Sequence, residues 1–176
     1  MLPADERRSM IVDAALPLLL EHGEAVTTRQ IADAAGIAEG TIFRVFPDKD
    51  AVIRAVVDAA YDTAPLEAAL AEVDPAAGFE AGLRKIVDLV QQRSLEVWRV
   101  ASSVGPRYRD TTGRTVAVSD EMVRFLKAHR ARLSMSPVEA AQALRGLTVT
   151  LTHPLLIDRP FAPRRIVELF LNGAGA

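Results

Sequence analysis

A chain of 176 residues with 49% hydrophobic side chains is long enough for one or two small domains with a substantial core. It contains no cysteine, which excludes disulfides, thiolate-held zinc or iron–sulfur clusters and a thiol nucleophile, and is compatible with a reducing compartment. The formal net charge of -2 offers no bulk argument for nucleic acid, so any case for such a partner must come from local geometry.

The opening stretch MLPADERRSM carries acids and lacks the basic-then-apolar run of a secretory signal. No window approaches the roughly 18 uninterrupted apolar residues of a membrane span. A cytoplasmic protein with no membrane partner is expected. Over residues 6–22, Ile11, Ala14, Ala15, Leu18 and Leu19 share one helical face. Thr27 followed three residues later by Gln30 is a capping box, and it opens a short helix with Ile31, Ala32 and Ala35 on one side that stops at Gly36. A third run, 39–46, turns Ile42 and Phe46 inward, and Asp48 caps a fourth helix containing Val52, Ile53, Val56 and Val57.

Beyond Tyr61 the helices lengthen. Asp74-Pro75 starts one with Phe79, Leu83, Ile86, Val87 and Val90 inward, continuing through Trp98 and Val100 to Gly105-Pro106. Residues 106–118 read as a loop with a short helical turn. Ser119 caps a helix lined by Met122, Phe125, Leu126, His129 and Leu133, and Ser136-Pro137-Val138-Glu139 signals another over 137–152. Within it, LTVTLT is β-branched, but no partner strand exists elsewhere, so helix is expected. The pattern repeats over 163–171 with Ile166, Val167, Phe170 and Leu171, closed by Asn172-Gly173. The fold class is therefore all-α.

Two helices this short, below the roughly 12 residues at which isolated helices become stable, need outside support. Joined by a glycine turn and braced by a longer preceding helix, they form the helix-turn-helix arrangement that inserts its second helix into the DNA major groove. Gly36 permits the turn, and Gly40 lets the second helix pack closely or approach a sugar-phosphate backbone. A generic helical corner remains the competing reading of the glycine spacing. More specific residues are present: TTRQIADAAGIAEGTIFRVFPDKD resembles the N-terminal signature of TetR-family transcriptional regulators at Thr27-Thr28, Ile31-Ala32, Ala35-Gly36-Ile37, Gly40-Thr41-Ile42, Phe46 and Lys49.

That resemblance covers about the first sixty residues. It implies an N-terminal three-helix helix-turn-helix DNA-binding domain, residues 1–58 with the motif at about 27–46, and a C-terminal helical ligand-binding and dimerisation domain, 59–176. It further implies a double-stranded palindromic DNA operator, a small-molecule effector of unknown identity that releases the operator, and a homodimer, expected through 137–152 and 163–171. The chain departs from the family pattern where Ala38 replaces a capping serine, and where Phe43 and Val45 replace tyrosine and then tyrosine or histidine. Residues 1–54 also hold nine acidic against six basic side chains, a formal -3.

The DNA contacts expected are Thr28, Arg29 and Gln30 at the start of the second helix, where backbone donors also face outward. Thr41, Phe43 and Arg44 follow on the recognition helix, Arg44 being able to pair bidentately with guanine, and Lys49 looks like the family's phosphate-contacting lysine. Phe79, Trp98, Met122, Phe125 and His153 are candidates to line an effector cavity, with the helical core as the competing reading. His22, His129 and His153 have no metal-ligand spacing, and no phosphate loop, nucleophile elbow or paired-carboxylate motif occurs, so no catalytic residue, metal or cofactor is expected. The acidic N-terminal domain keeps a second function open: a helical ligand-binding or protein-interaction module that has lost operator binding.

Overall fold

The computed structural model describes residues 3–108 and 118–172, all helix, turn and connection, with no strand among them. The chain divides into two compact units, Met1–Asp62 with Glu96–Gly113, and Thr63–Leu95 with Arg114–Ala176.

In the first unit, α1 (Ala4–His22), α2 (Thr28–Ala35), α3 (Glu39–Ile42) and α4 (Lys49–Tyr61) surround one apolar core. Ile11, Leu19, Ile31, Ile42, Phe46 and Ile53 are at most 1% exposed. Burying a side chain of this size contributes about 1.5–3 kcal/mol, which is the support the two short helices lack on their own. The run expected to be helical over 39–46 stops sooner, at Ile42. Arg44 and Val45 then donate to the carbonyls three residues back, at 3.2 and 2.9 Å, so the helix tightens into a turn. Pro47 disfavours helical backbone at Phe46, which supplies the physical reason.

The second unit contains α5 (Ala64–Ala71), the first two-thirds of α6 (Phe79–Ser103), α7 (Asp120–Ala128), α8 (Pro137–Thr150) and α9 (Pro163–Asn172). Its core includes Leu70, Leu83, Ile86, Met122, Phe125, Leu126, Leu144 and Ile166. The Asp74-Pro75 start signal makes only a 3-10 turn, Pro75–Ala77, in which Asp74 accepts from the Ala76 amide at 2.8 Å; Gly78, at φ 101°, breaks the chain before α6 begins. The helix expected to run on to Leu133 ends at Ala128 and continues as the 3-10 turn Arg130–Arg132.

LTVTLT is helical through Thr150. The buried hydroxyls of Thr148 and Thr152 donate to the carbonyls of Leu144 (2.7 Å) and Thr148 (2.6 Å), which removes their polar cost. Gln91 on α6 then donates to the Thr152 hydroxyl and the Phe161 carbonyl, both at 2.9 Å, tying down the connection between α8 and α9. Of the loop expected over 106–118, Pro106–Tyr108 is a 3-10 turn; residues 109–117, and Gly173 at the far end, lie outside the described residues.

Candidate nucleic-acid interface

The corner between α2 and α3 is built from its caps. Thr27 accepts from the Gln30 amide (3.2 Å) while the Gln30 side chain accepts from the Thr27 amide (2.9 Å), so both ends of the capping box are closed. Gly36 then ends α2 in the left-handed region (φ 66°, ψ 33°), a conformation that a Cβ disfavours, and reverses the chain into α3. A Cβ on Gly40 would meet nothing within 4 Å. Packing among the described residues therefore does not require that glycine.

Ala38 sits at the N-cap of α3 with extended backbone (φ -70°, ψ 141°) and no side-chain cap. Thr41 is half-buried, whereas Arg29 and Arg44 are exposed and make no ion pair among the described residues. Phe43 is 50% exposed, so an aromatic ring stands in solvent on the recognition turn. Val45 instead leans on the core. Two expected contacts are engaged inside the chain. The Thr28 hydroxyl donates to the Glu39 carboxylate, which places an acid between α2 and α3 on the surface expected to meet phosphate. Lys49, in the first turn of α4, donates to the Glu24 carbonyl at 2.7 Å, leaving two of its three N–H donors.

Residues 105–108 join this unit from far along the sequence. Glu24 accepts from the Gly105 amide and from Arg107 (2.9 Å), Arg107 reaches Asp50 (3.4 Å), and the Tyr108 hydroxyl donates to Asp50 at 2.6 Å. The Tyr108 hydroxyl, followed by Arg107, Arg54 and Lys49, holds the Asp50 carboxyl below the ordinary carboxylate range. Burial of the Tyr108 phenol, then its bond to Asp50, push it up to about 12. Arg107 thus sets one positive charge against two of the nine acids counted over 1–54. Neither Arg107 nor Tyr108 was expected at this site, because a loop more than fifty residues from Asp50 carries no periodic signal of where it docks.

Of the five residues expected around an effector cavity, four lie in the second unit and one, Trp98, in the first. Phe79, Met122 and Phe125 belong to the core of the second unit, where the Phe79 and Phe125 rings stack at 6.4 Å and both touch His129, at 5.0 and 4.8 Å. Gly82 lies against them so closely that a Cβ there would come 2.2 Å from the Phe125 ring. His153 is half-buried beyond α8 and accepts from the Leu155 amide at 3.2 Å. Trp98 belongs to the other unit, in the last third of α6.

Residues 11–56 match the family model described as bacterial regulatory proteins, tetR family, and these are the residues that build α1 to α4. An 85-residue stretch is 33% identical to the HTH-type transcriptional repressor LfrR of Mycolicibacterium smegmatis; it covers 48% of this chain and spans less than half, 43%, of that relative. The crystal structure of the TetR-like transcriptional regulator LfrR in complex with proflavine is similar over 97% of this chain and 98% of that one, at 23% identity and a TM-score of 0.59. NalD, the secondary repressor of the MexAB-OprM multidrug efflux pump in Pseudomonas aeruginosa, has a similar fold over 97% and 98% of the two chains, at 20% identity and a TM-score of 0.55. The helix-turn-helix geometry on α2 and α3 thus coincides with a tetR-type match over residues 11–56, and the fold along nearly the whole chain is one shared with the TetR-like regulator LfrR and with NalD.

Proposed function

We propose that the protein is a transcriptional repressor that binds a palindromic DNA operator as a homodimer and releases it when a small molecule occupies the second unit. The observation that carries this reading is the left-handed glycine corner at Gly36, which presents Arg29 and Arg44 without acidic partners at the two helices of the motif. Residues 1–58 carry DNA binding, and effector binding and dimerisation fall to the second unit within 59–176. Thr28, Arg29, Gln30, Phe43 and Lys49 face phosphate or groove edge, while Thr41 and Arg44 face bases. The protein works by binding and not by catalysis, in the cytoplasm. Release is a population shift: an effector that binds better to a state in which the two recognition elements are wrongly spaced draws the dimer off its half-sites.

Dimerisation through 137–152 and 163–171 has its own support. A Cβ on Gly146 of α8 would meet nothing within 4 Å, Val138 is 44% exposed, and Leu155 and Leu156 between the helices are 80% and 62% exposed. Small and apolar groups left open along α8 and in the connection that follows it fit a four-helix interface with a second copy.

Selection of bound fragments from sheared genomic DNA, followed by sequencing, tests the central claim. Recovery of fragments sharing an inverted repeat is expected; recovery indistinguishable from bulk DNA sinks it. In that case the second reading, an interaction module of the same fold, takes over, favoured by the Glu39 carboxylate seated on Thr28 and the exposed ring of Phe43.

A further inference from the structure

In the core of the second unit Phe125 and Met122 are each 1% exposed, and Phe125 lies hard against Gly82. At the unit's flank, among the described residues, a groove of about 570 Å³ opens between the start of α6, the turn Arg130–Arg132 and α9. Three arginines, Arg84, Arg132 and Arg164, face two glutamates, Glu80 and Glu168, so the groove carries a net positive charge. Its acids are already engaged. Glu80 lies 3.8 Å from Arg84, and Glu168 accepts from Arg164 (2.9 Å) and from Arg165 (3.3 Å).

Arg132 has no carboxylate partner among the described residues. Its guanidinium stands 5.4 Å from the centroid of the Phe79 ring, a placement that orders the cation without neutralising it. Val167 and Leu171 of α9 give the same groove an apolar side. A planar guanidinium presents paired donors that match a carboxylate, which a neutral hydroxyl cannot satisfy. The volume exceeds what a bare inorganic ion fills and lies in the range of small-molecule sites, roughly 300–1,000 Å³.

We propose that this groove binds a small amphipathic organic anion, a carboxylate with a short apolar body, its head on Arg132 and its body along Phe79, Val167 and Leu171. The proposal rests on reading the second unit as the effector-binding one, and places the ligand at its flank, away from the core around Phe125.

Equilibrium dialysis of the full chain against octanoate, octan-1-ol and acetate tests it. Saturable octanoate binding is expected, with the alcohol and acetate each weaker by roughly tenfold or more, since one lacks the charge and the other the apolar body. Arg132→Gln should weaken octanoate by roughly tenfold, Arg132→Lys by less, and Arg159→Gln, an exposed arginine outside the groove, should leave it unchanged. Arg132 is exposed, so both variants should fold, which circular dichroism checks. Octan-1-ol binding as well as octanoate, Arg132→Gln binding octanoate like the parent, or no saturable octanoate binding up to about 10 mM each overturns the proposal. Operator binding measured without octanoate keeps the two readings apart: its absence in the parent counts against DNA recognition alone, whereas lost headgroup dependence counts against the groove alone.

Discussion

Phe43 is the residue at which chemistry and family pattern part most plainly. Half of its surface is exposed, so the ring contributes little to the core, and it stands where related regulators carry a tyrosine. Adding the hydroxyl in Phe43→Tyr should restore a neutral hydrogen bond to phosphate of about 1 kcal/mol per half-site, or about 2 kcal/mol for a dimer. Affinity for a selected operator should rise roughly tenfold or more, with the salt dependence nearly unchanged because a hydroxyl displaces no counterion. Lys49→Ala should instead flatten the slope of log affinity against log salt by about 2. It should also lower stability, because the Glu24 carbonyl loses its donor. Arg44→Ala should relax base preference at a cost of about 1–3 kcal/mol per contact. Fluorescence anisotropy over a salt series reads all three; unchanged binding in every folded variant would show that DNA meets a different surface.

At the scale of elements, the recognition helix is the weak member. Its four residues follow Ala38, whose extended backbone already has the geometry of an N-cap but whose methyl can accept nothing. Ala38→Ser should raise thermal stability by about 1 kcal/mol, read from denaturant midpoints at constant slope. No gain would mean that the α3 amides are satisfied by water.

The clasp at Tyr108 and Asp50 has a pH signature of defined sign. Asp50 has its pKa lowered by folding, so its contribution is present above the ordinary value of 3.8 and is lost as pH falls through the lower folded value. Tyr108 has its pKa raised, so its contribution is present below 10.0 and is lost as pH rises toward about 12. The stability difference between the parent and Tyr108→Phe should therefore be flat between those limits and shrink beyond either one. A difference that stays constant from pH 9 to 12 would refute the alkaline half of this account.

On the scale of the whole molecule, the open face of α8 and the exposed Leu155 and Leu156 predict the assembly state. Light scattering at micromolar concentration should report twice the chain mass, and Leu155→Glu with Leu156→Glu should shift it toward monomer, since burying unpaired charge in an apolar interface is costly. A parent that runs as a monomer would remove the two-fold readout of a palindrome and, with it, the proposed route of release.

Periodicity and capping chemistry are local, and they were enough to read the helices of the first unit, the glycine corner, the capping boxes at Thr27 and Ser136 and the last two helices. They also sufficed for the tetR-type resemblance of residues 11–56, because the α2–α3 turn needs particular residues at particular spacings. Local signals failed where a competing constraint acted over a few residues: Pro47 cutting α3 short, Gly78 separating Pro75 from α6, and Pro65 marking a helix, Ala64–Ala71, too brief to show a face. Placement across long separations was decided by the tertiary structure alone. Side-chain pairs such as Tyr108 with Asp50 or Arg132 with Phe79 depend on which elements meet, and that is set by the mutual fit of buried faces rather than by any property of the residues themselves. For the same reason an apolar stripe such as Phe79, Met122 and Phe125 reads alike whether it closes on itself as core or opens as a cavity; here the three side chains pack as core, beside a groove that carries arginines.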